Sequence, residues 1–317
     1  GRGGGLRCTT NSNPILVNVL ISDNTATQEG GGVFCYNSDP SFINVTISGN
    51  VSSINDGSGI FIKNNSNMNL INTVLWGNES NEIEFSSVDN SSTITLSYSN
   101  IEGGQDSIVI NDNGTITWGD GNIDVDPRFI DSENSNYHLL ASSMLINAGH
   151  PDSTDSDGTR ADIGAYPYLT DNTEPVWYIN TAGNDIAGTG TSVNPFASIQ
   201  AGINFSSVND SVTVAAGTYV ENIDFNGKNI VVLGADRETT IIDGNQAGSV
   251  VTFQRDELPS AVLRGFTLQN GLTADGGGIY CTGGSSPSLD NLIITNNTAN
   301  GGGAGVHCSN GSSPGLE

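Results

Sequence analysis

The apolar residues of this chain recur with a slip. Four stretches align without gaps: SNPILVNVLISDNTA (12–26), SDPSFINVTISGNVS (38–52), SNMNLINTVLWGNES (66–80) and SSPSLDNLIITNNTA (285–299). Each carries an apolar residue two before an Asn (Leu16, Phe42, Leu70, Leu289) and then the Asn itself (Asn18, Asn44, Asn72, Asn291). An apolar residue follows three later (Ile21, Ile47, Leu75, Ile294), and a second Asn six later (Asn24, Asn50, Asn78, Asn297). Inward positions of a strand recur every second residue, so apolar positions five apart mean that the alternation slips once. The slip falls near Asn, which tolerates left-handed backbone angles better than other non-glycine residues. The pattern therefore predicts two short strands meeting at an Asn corner. Asn side chains repeated at one corner of a stack can hydrogen-bond amide to amide along it. An exposed Asn row that binds sugar is the alternative use.

A second phrase marks another corner. GGG or GSG occurs at 3–5, 30–32, 57–59, 276–278 and 301–303. Cys8 and Cys35 follow two of these corners and lie 27 residues apart, as do Cys281 and Cys308. Ile62 falls 27 residues after Cys35, so an apolar side chain serves at the Cys position and packing is its role. No helix follows the glycines and no Lys–Ser/Thr closes them, which excludes a phosphate loop. A fixed period with short β-branched runs between polar corners is the signature of a solenoid. The expected fold is all-β: a right-handed parallel β-helix of ~27-residue coils with one short capping helix. The four Cys stack in such coils. Neighbouring rungs bring them within reach of a disulfide, while side chains stacked in parallel suit a ladder of buried free thiols; both readings stand.

Charge narrows the partners. The net charge is −25 with only nine Lys and Arg, which leaves little to neutralise phosphates. Nucleic acid is therefore excluded as a partner, and no run of ~18 apolar residues inserts into a membrane. An acidic surface suits an extracellular, cell-surface protein and also suits cation binding.

The repeat fades after Trp76. Short strands are expected around Ile83–Phe85, Thr93–Tyr98, Ile108–Ile110 and Thr115–Trp118. Then come Asp126–Pro127, Tyr137–Leu139, Ile146–Gly149 and Asp162–Tyr166. In that order they resemble the tail of bacterial right-handed β-helix proteins that carry a choice-of-anchor-type module. The resemblance covers most of 72–168 and implies a secreted or surface protein rather than a chemistry. Within it, Asp152, Asp155 and Asp157 precede Gly158, with Asp162 nearby. Closely spaced carboxylates in a Gly-containing loop collect calcium; they also make a hydrogen-bonded turn. The spacing is not that of an EF-hand. Asp120, Asn122 and Asp124 form a weaker cation candidate, and His138 and His150 lack metal-like spacing.

A polar linker (170–176) precedes a second set of coils. Asn194 followed by Pro195 reads as an N-cap and N1, opening a helix through about Phe205 that covers the first coil. NPFASIQAGI, AAGTYVENI and GFTLQNG…GGGIYC resemble the N-terminal part of β-helices of the pectin-lyase-like superfamily, over about 177–317. Some of those relatives are polysaccharide lyases or hydrolases. Arg237, Arg255 and Arg264 are scattered here, His307 stands alone, and no Asp pair recurs at coil spacing, so no catalytic set is read. The expected domains are coils at 1–125, a closing, anchor-type module at 126–169, the linker, and capped coils at 177–317. The chain starts and stops inside a coil, which suggests self-association head to tail through open coil ends, or one period of a longer surface protein or filament. The functional expectation is a structural or adhesive β-helix module. A carbohydrate-binding module for a polysaccharide is the alternative, and a calcium-dependent lyase or glycosidase a third reading.

Overall fold

A computed structural model of the chain describes residues 1–170, 172 and 174–316. Two compact units divide it, Gly1–Leu169 and Thr170–Glu317. Both are built from short parallel strands stacked coil upon coil, a β-solenoid. Among the described residues no helix is long and apolar enough to cross a membrane.

In the first unit, Leu6–Thr9, Val33–Tyr36, Ile60–Lys63 and Ile83–Phe85 stack in register on one face. On another, Leu16 pairs with Phe42, Phe42 with Leu70 and Leu70 with Leu96, which are 26, 28 and 26 residues apart. Ile21, Ile47, Leu75 and Ile101 form a parallel column. These columns point inward and are the core: Phe42, Ile47, Leu70, Leu75 and Ile101 are fully buried. Cys35 packs between Cys8 and Ile62 in the same core. Fully burying a Leu or Phe side chain contributes about 1.5–3 kcal/mol, and each coil adds only a few, so stability comes from stacking.

The slip in the apolar pattern is where it was expected. Asn18, Asn44, Asn72 and Asn291 have φ of 56°, 52°, 52° and 52°, the left-handed region. At the glycine corner Gly30 has φ 72°, and a Cβ on Gly31 would lie 2.6 Å from the carbonyl oxygen of Ser58 in the next coil. Positive φ and close approach between coils are what select glycine there.

The coils outlast the motif. Ile83–Phe85 pairs with Ile60–Lys63, Ser92–Ser97 with Asn67–Ile71, and Gly114–Trp118 with Ser92–Ser97. Residues 108–110, expected as a strand, make only an isolated bridge from Val109 to Glu84. Parallel pairing is satisfied by backbone groups, so it continues after the side-chain signature has gone.

The second unit stacks three faces. One runs through Val176–Ile179, Ser211–Val214, Val231–Gly234, Val262–Arg264, Ser288–Asp290 and Gly315–Leu316. A second runs through Gly217–Val220, Thr240–Asp243, Thr267–Gln269 and Ile293–Thr295. The third contains Ile223–Asp224, Val251–Phe253, Ile279–Cys281 and Val306–Cys308. Its helix is Ile199–Phe205, and its N-cap is Ser198 rather than Asn194. Phe196 explains the shift: it makes a parallel bridge with Ile179, so the backbone around it is extended. Asn194 instead closes a turn onto Thr191. All seven helical residues are buried. Glu221 accepts from the N–H of Ile199 (2.8 Å) and Gln200 (3.1 Å) at the helix start. Lys228 Nζ donates to the carbonyls of Ile203 (2.9 Å) and Ser206 (3.0 Å) at its end. Opposite charges thus complement the two ends of the helix, and both come from the coil it covers.

The second Asn of each repeat makes a different column. It points into the coil, and the residue before it (Asp23, Gly49, Gly77, Asn296) takes the left-handed angle. Asn24 donates its backbone N–H (3.0 Å) and Nδ2 (3.1 Å) to Asn50 Oδ1. Asn50 donates the same two groups to Asn78 Oδ1 at 3.0 and 2.9 Å. Asn50 and Asn78 also close the carbonyls of Ile21 and Ile47, and Asn297 does the same for Leu268 at 3.0 Å in the second unit. Truncating Asn50, which is 0% exposed, strands buried donors and acceptors in two neighbouring coils. Asn50→Ala is expected to cost about 2–4 kcal/mol in urea unfolding, and Asn18→Gly at the exposed corner less than about 1 kcal/mol.

Candidate functional site

Four constellations were singled out by sequence: the corner Asn row, the Cys column, the Asp loop at 152–162 and the 120–124 acidic stretch. The structure places each on a column or a turn.

The corner row runs through the first three coils. Asn44 Nδ2 donates to Asn18 Oδ1 (3.1 Å), and Asn72 Nδ2 to Asn44 Oδ1 (2.9 Å). It does not end in solvent. Asn72 Oδ1 accepts the backbone N–H of His150 at 2.7 Å, and its carbonyl accepts that of Gly164 at 2.9 Å. Both belong to the segment after Asp126, which lies along the outward side of the coils. Thr46 Oγ1 accepts the N–H of Ala165 (3.0 Å), and Asp23 accepts Tyr137 OH (3.0 Å) and Ser135 Oγ (2.9 Å). Thr46 and Ser48, outward-facing residues of Ser41–Ser48, are buried beneath it. In the second unit the position before Asn291 in the stack is Gly265, so the amide row does not extend there.

The cysteines are free. Cys8, Cys35 and Cys281 are buried; Cys308 is exposed, unlike the others. Cys35 and Cys281 donate Sγ–H to the carbonyls of Ser38 (3.1 Å) and Ser285 (3.3 Å). Burial pushes their thiols up to about 12 and about 11, so they stay neutral and behave as small apolar groups.

Each Asp of the 152–162 loop is placed individually. Asp157 accepts Thr159 N–H (3.0 Å) and Oγ1–H (2.7 Å), and Asp155 Oδ2 accepts the N–H of Asp162 (2.9 Å). Asp162 is 3% exposed and takes the N–H of Asn147 and of Tyr168, each at 2.7 Å. Asp152 is exposed. Thr154 and Arg160 pair across the loop as an antiparallel bridge. The carboxylates thus knit a hairpin and anchor its flanks. Among the described residues no group of three or more His, Cys, Asp or Glu is gathered as a metal ion requires. Burial pushes the Asp162 carboxyl up to about 8, against the pull of its two backbone donors. In the weaker stretch, Asn122 accepts Ser99 N–H and Asp124 accepts Gly103 N–H, which are links between coils.

Sequence reading missed one cluster. Glu82, 6% exposed, lines a cavity of about 370 Å³ together with Asn78–Asn81, Glu102, Gly103 and Ser107. The only available signal was a Glu four residues after the second Asn of the third copy, just where the repeat fades. Aligned aromatic pairs occur on outward faces. Phe34 and Phe61 stack with centroids 6.3 Å apart and are nearly buried beneath Arg2, Arg7 and Lys63. Tyr280 and His307 stack at 5.8 Å and remain partly open.

Comparison with known proteins gives one short match. Residues 18–36 match the Chlamydia polymorphic membrane protein (Chlamydia_PMP) repeat. No curated protein and no solved structure matches the chain. The matched segment starts at the Asn18 corner, passes Asn24 and the 30–32 glycines, and ends on the Cys35 strand.

Removing the Asp162 carboxylate deprives two backbone donors of an acceptor. Asp162→Ala is expected to cost about 2–4 kcal/mol in urea unfolding, and Asp157→Ala, at the exposed turn, less than about 1 kcal/mol.

Proposed function

We propose that the chain is a surface-exposed β-solenoid module with a structural or adhesive role rather than a catalytic one. The observation that carries this reading is the polymorphic membrane protein repeat at 18–36. It coincides with one turning unit of the solenoid, and equivalent units follow at Asn44 to Ile62 and at Asn291 to Cys308. A solenoid of this kind has a thin core and long polar sides. Its binding surface is lateral and extended, which suits contact with another surface better than enclosure of a small substrate. The acidic charge of −25 keeps such a surface hydrated. Residues 126–169 fit this reading as an anchor-type module, and the coils as pectin-lyase-like.

Polysaccharide is the second candidate partner, favoured by the partly open Tyr280–His307 stack in the second unit. Aromatic faces aligned along a solenoid can support sugar rings.

Intact cells that make the native protein, treated with a protease that does not enter them, are expected to lose it. Complete protection, with digestion only after lysis, would overturn the surface assignment. On a glycan array, binding that falls in Tyr280→Ala would favour the polysaccharide reading, and a flat response would remove it.

A further inference from the structure

The coils of the first unit are joined one to the next. Their strands pair with strands one coil away, and both asparagine rows pass from neighbour to neighbour. A stack bonded only to its neighbours can open from an end, one coil at a time. Contacts that span several coils change this, and the segment 126–169 supplies them.

That segment is braced within itself. Phe129–Asp131 pairs antiparallel with Asn136–Leu139. Gly149 N–H reaches the Ala161 carbonyl at 2.8 Å, and Ile163 N–H the Leu145 carbonyl at 3.0 Å. Ser143 Oγ donates to the Pro127 carbonyl at 2.6 Å. Leu139, Leu145, Ile146 and Ile163 are buried. Such a body holds its shape, so bonds made at different points along it act together.

It grips four successive coils. On the first, the Asp23 carboxylate accepts Tyr137 OH at 3.0 Å and Ser135 Oγ–H at 2.9 Å. On the second, Thr46 Oγ1 accepts Ala165 N–H at 3.0 Å. On the third, the Asn72 carbonyl accepts Gly164 N–H at 2.9 Å, and its Oδ1 accepts His150 N–H at 2.7 Å. On the fourth, the Tyr98 ring meets His150 edge-on at 4.8 Å and lies 5.7 Å from the Arg160 guanidinium. The fit is also close. A Cβ on Gly164 would lie 3.1 Å from Thr46 Oγ1 and 3.2 Å from a Val74 methyl, which belong to two different coils.

We propose that residues 126–169 are a lateral clamp, which makes the four coils from Leu6 to Ile101 open together with it as one unit instead of peeling singly.

The coupling lies in bonds that both sides share. Freeing the Asp23 coil alone costs its bonds to the clamp as well as those to its neighbour. Freeing the clamp alone uncovers acceptors buried beneath it, Thr46 at 1% and Asn72 at 0% exposed. Once either side has let go, the shared bonds are already lost and the other side opens more easily. Coils and clamp thereby form one cooperative unit, and a lateral pull cannot strip the coils one by one.

Native-state amide hydrogen exchange of the full chain across sub-denaturing urea tests this. Three coil reporters lie on the face of the Cys column, which none of the clamp's bonds touches. Leu6 N–H donates to the Gly32 carbonyl (2.8 Å), Val33 to Gly59 (2.8 Å) and Ile60 to Glu82 (2.9 Å). Ile163 reports on the clamp. All four are expected to show one opening free energy and one urea slope. A graded series from Leu6 to Ile60, or an Ile163 that exchanges through a separate, easier opening, would overturn the clamp. The double variant Ser135→Ala, Tyr137→Phe removes both donors to Asp23. It is expected to speed exchange about ten- to a hundredfold, by the same factor at all four reporters. No change, or a change confined to amides beside Asp23, would show an ordinary local contact and overturn the proposal. Should the double variant fail to fold, the wild-type comparison decides.

Discussion

Parallel in-register stacking constrains everything else in this molecule. Each side chain sits on its counterpart one coil away, so every position becomes a column and the chemistry of a column must be compatible with itself. Apolar side chains meet this requirement by packing, as Phe42 does on Leu70 and Cys35 on Ile62. Asn meets it because an amide both donates and accepts. A carboxylate only accepts, and so it can end a column but not continue one.

That rule accounts for where the polar columns stop. The corner row passes from Asn18 to Asn72 and is finished by the backbone of His150. The inner row passes from Asn24 to Asn78 and is finished by Glu82. A buried carboxylate also links neighbouring coils in the second unit. Glu257, 0% exposed, accepts from Gly227 (2.8 Å), Arg255 (3.0 Å) and Ser285 (2.6 Å), which belong to successive coils. Neutral thiols raised by burial behave as part of the apolar columns and need no bridge to be stable there.

The sides of the solenoid, rather than its interior, are what remains for function. In the first unit part of one side is occupied by the chain's own segment after Asp126, which buries Thr46 and Ser48. The remainder exposes polar and acidic side chains with scattered apolar ones such as Ile15 and Val88. A surface built this way offers repeated, evenly spaced groups, and that repetition is the physical basis of the adhesive or structural reading.

Much of the architecture was legible in the residues alone. Five-residue spacing of apolar positions about Asn18, Asn44, Asn72 and Asn291 identified the left-handed corners, because few residues adopt that angle. The 27-residue return of Cys8 at Cys35 identified the stacking, because a column repeats its residue type. What the sequence could not reveal was decided by contacts distant in the chain. Ser198 caps the helix instead of Asn194 because Phe196 pairs with Ile179. The four Asp of the 152–162 loop resemble a cation site in composition, but Asp155, Asp157 and Asp162 are turned toward backbone N–H groups of the hairpin and its flanks. Glu82 is marked in the sequence only by falling four residues after Asn78, because its place at the end of the inner row depends on how the packed corner turns. Local spacing reports which angles and columns a chain can form; only the packed fold determines where a column ends and which group stands there.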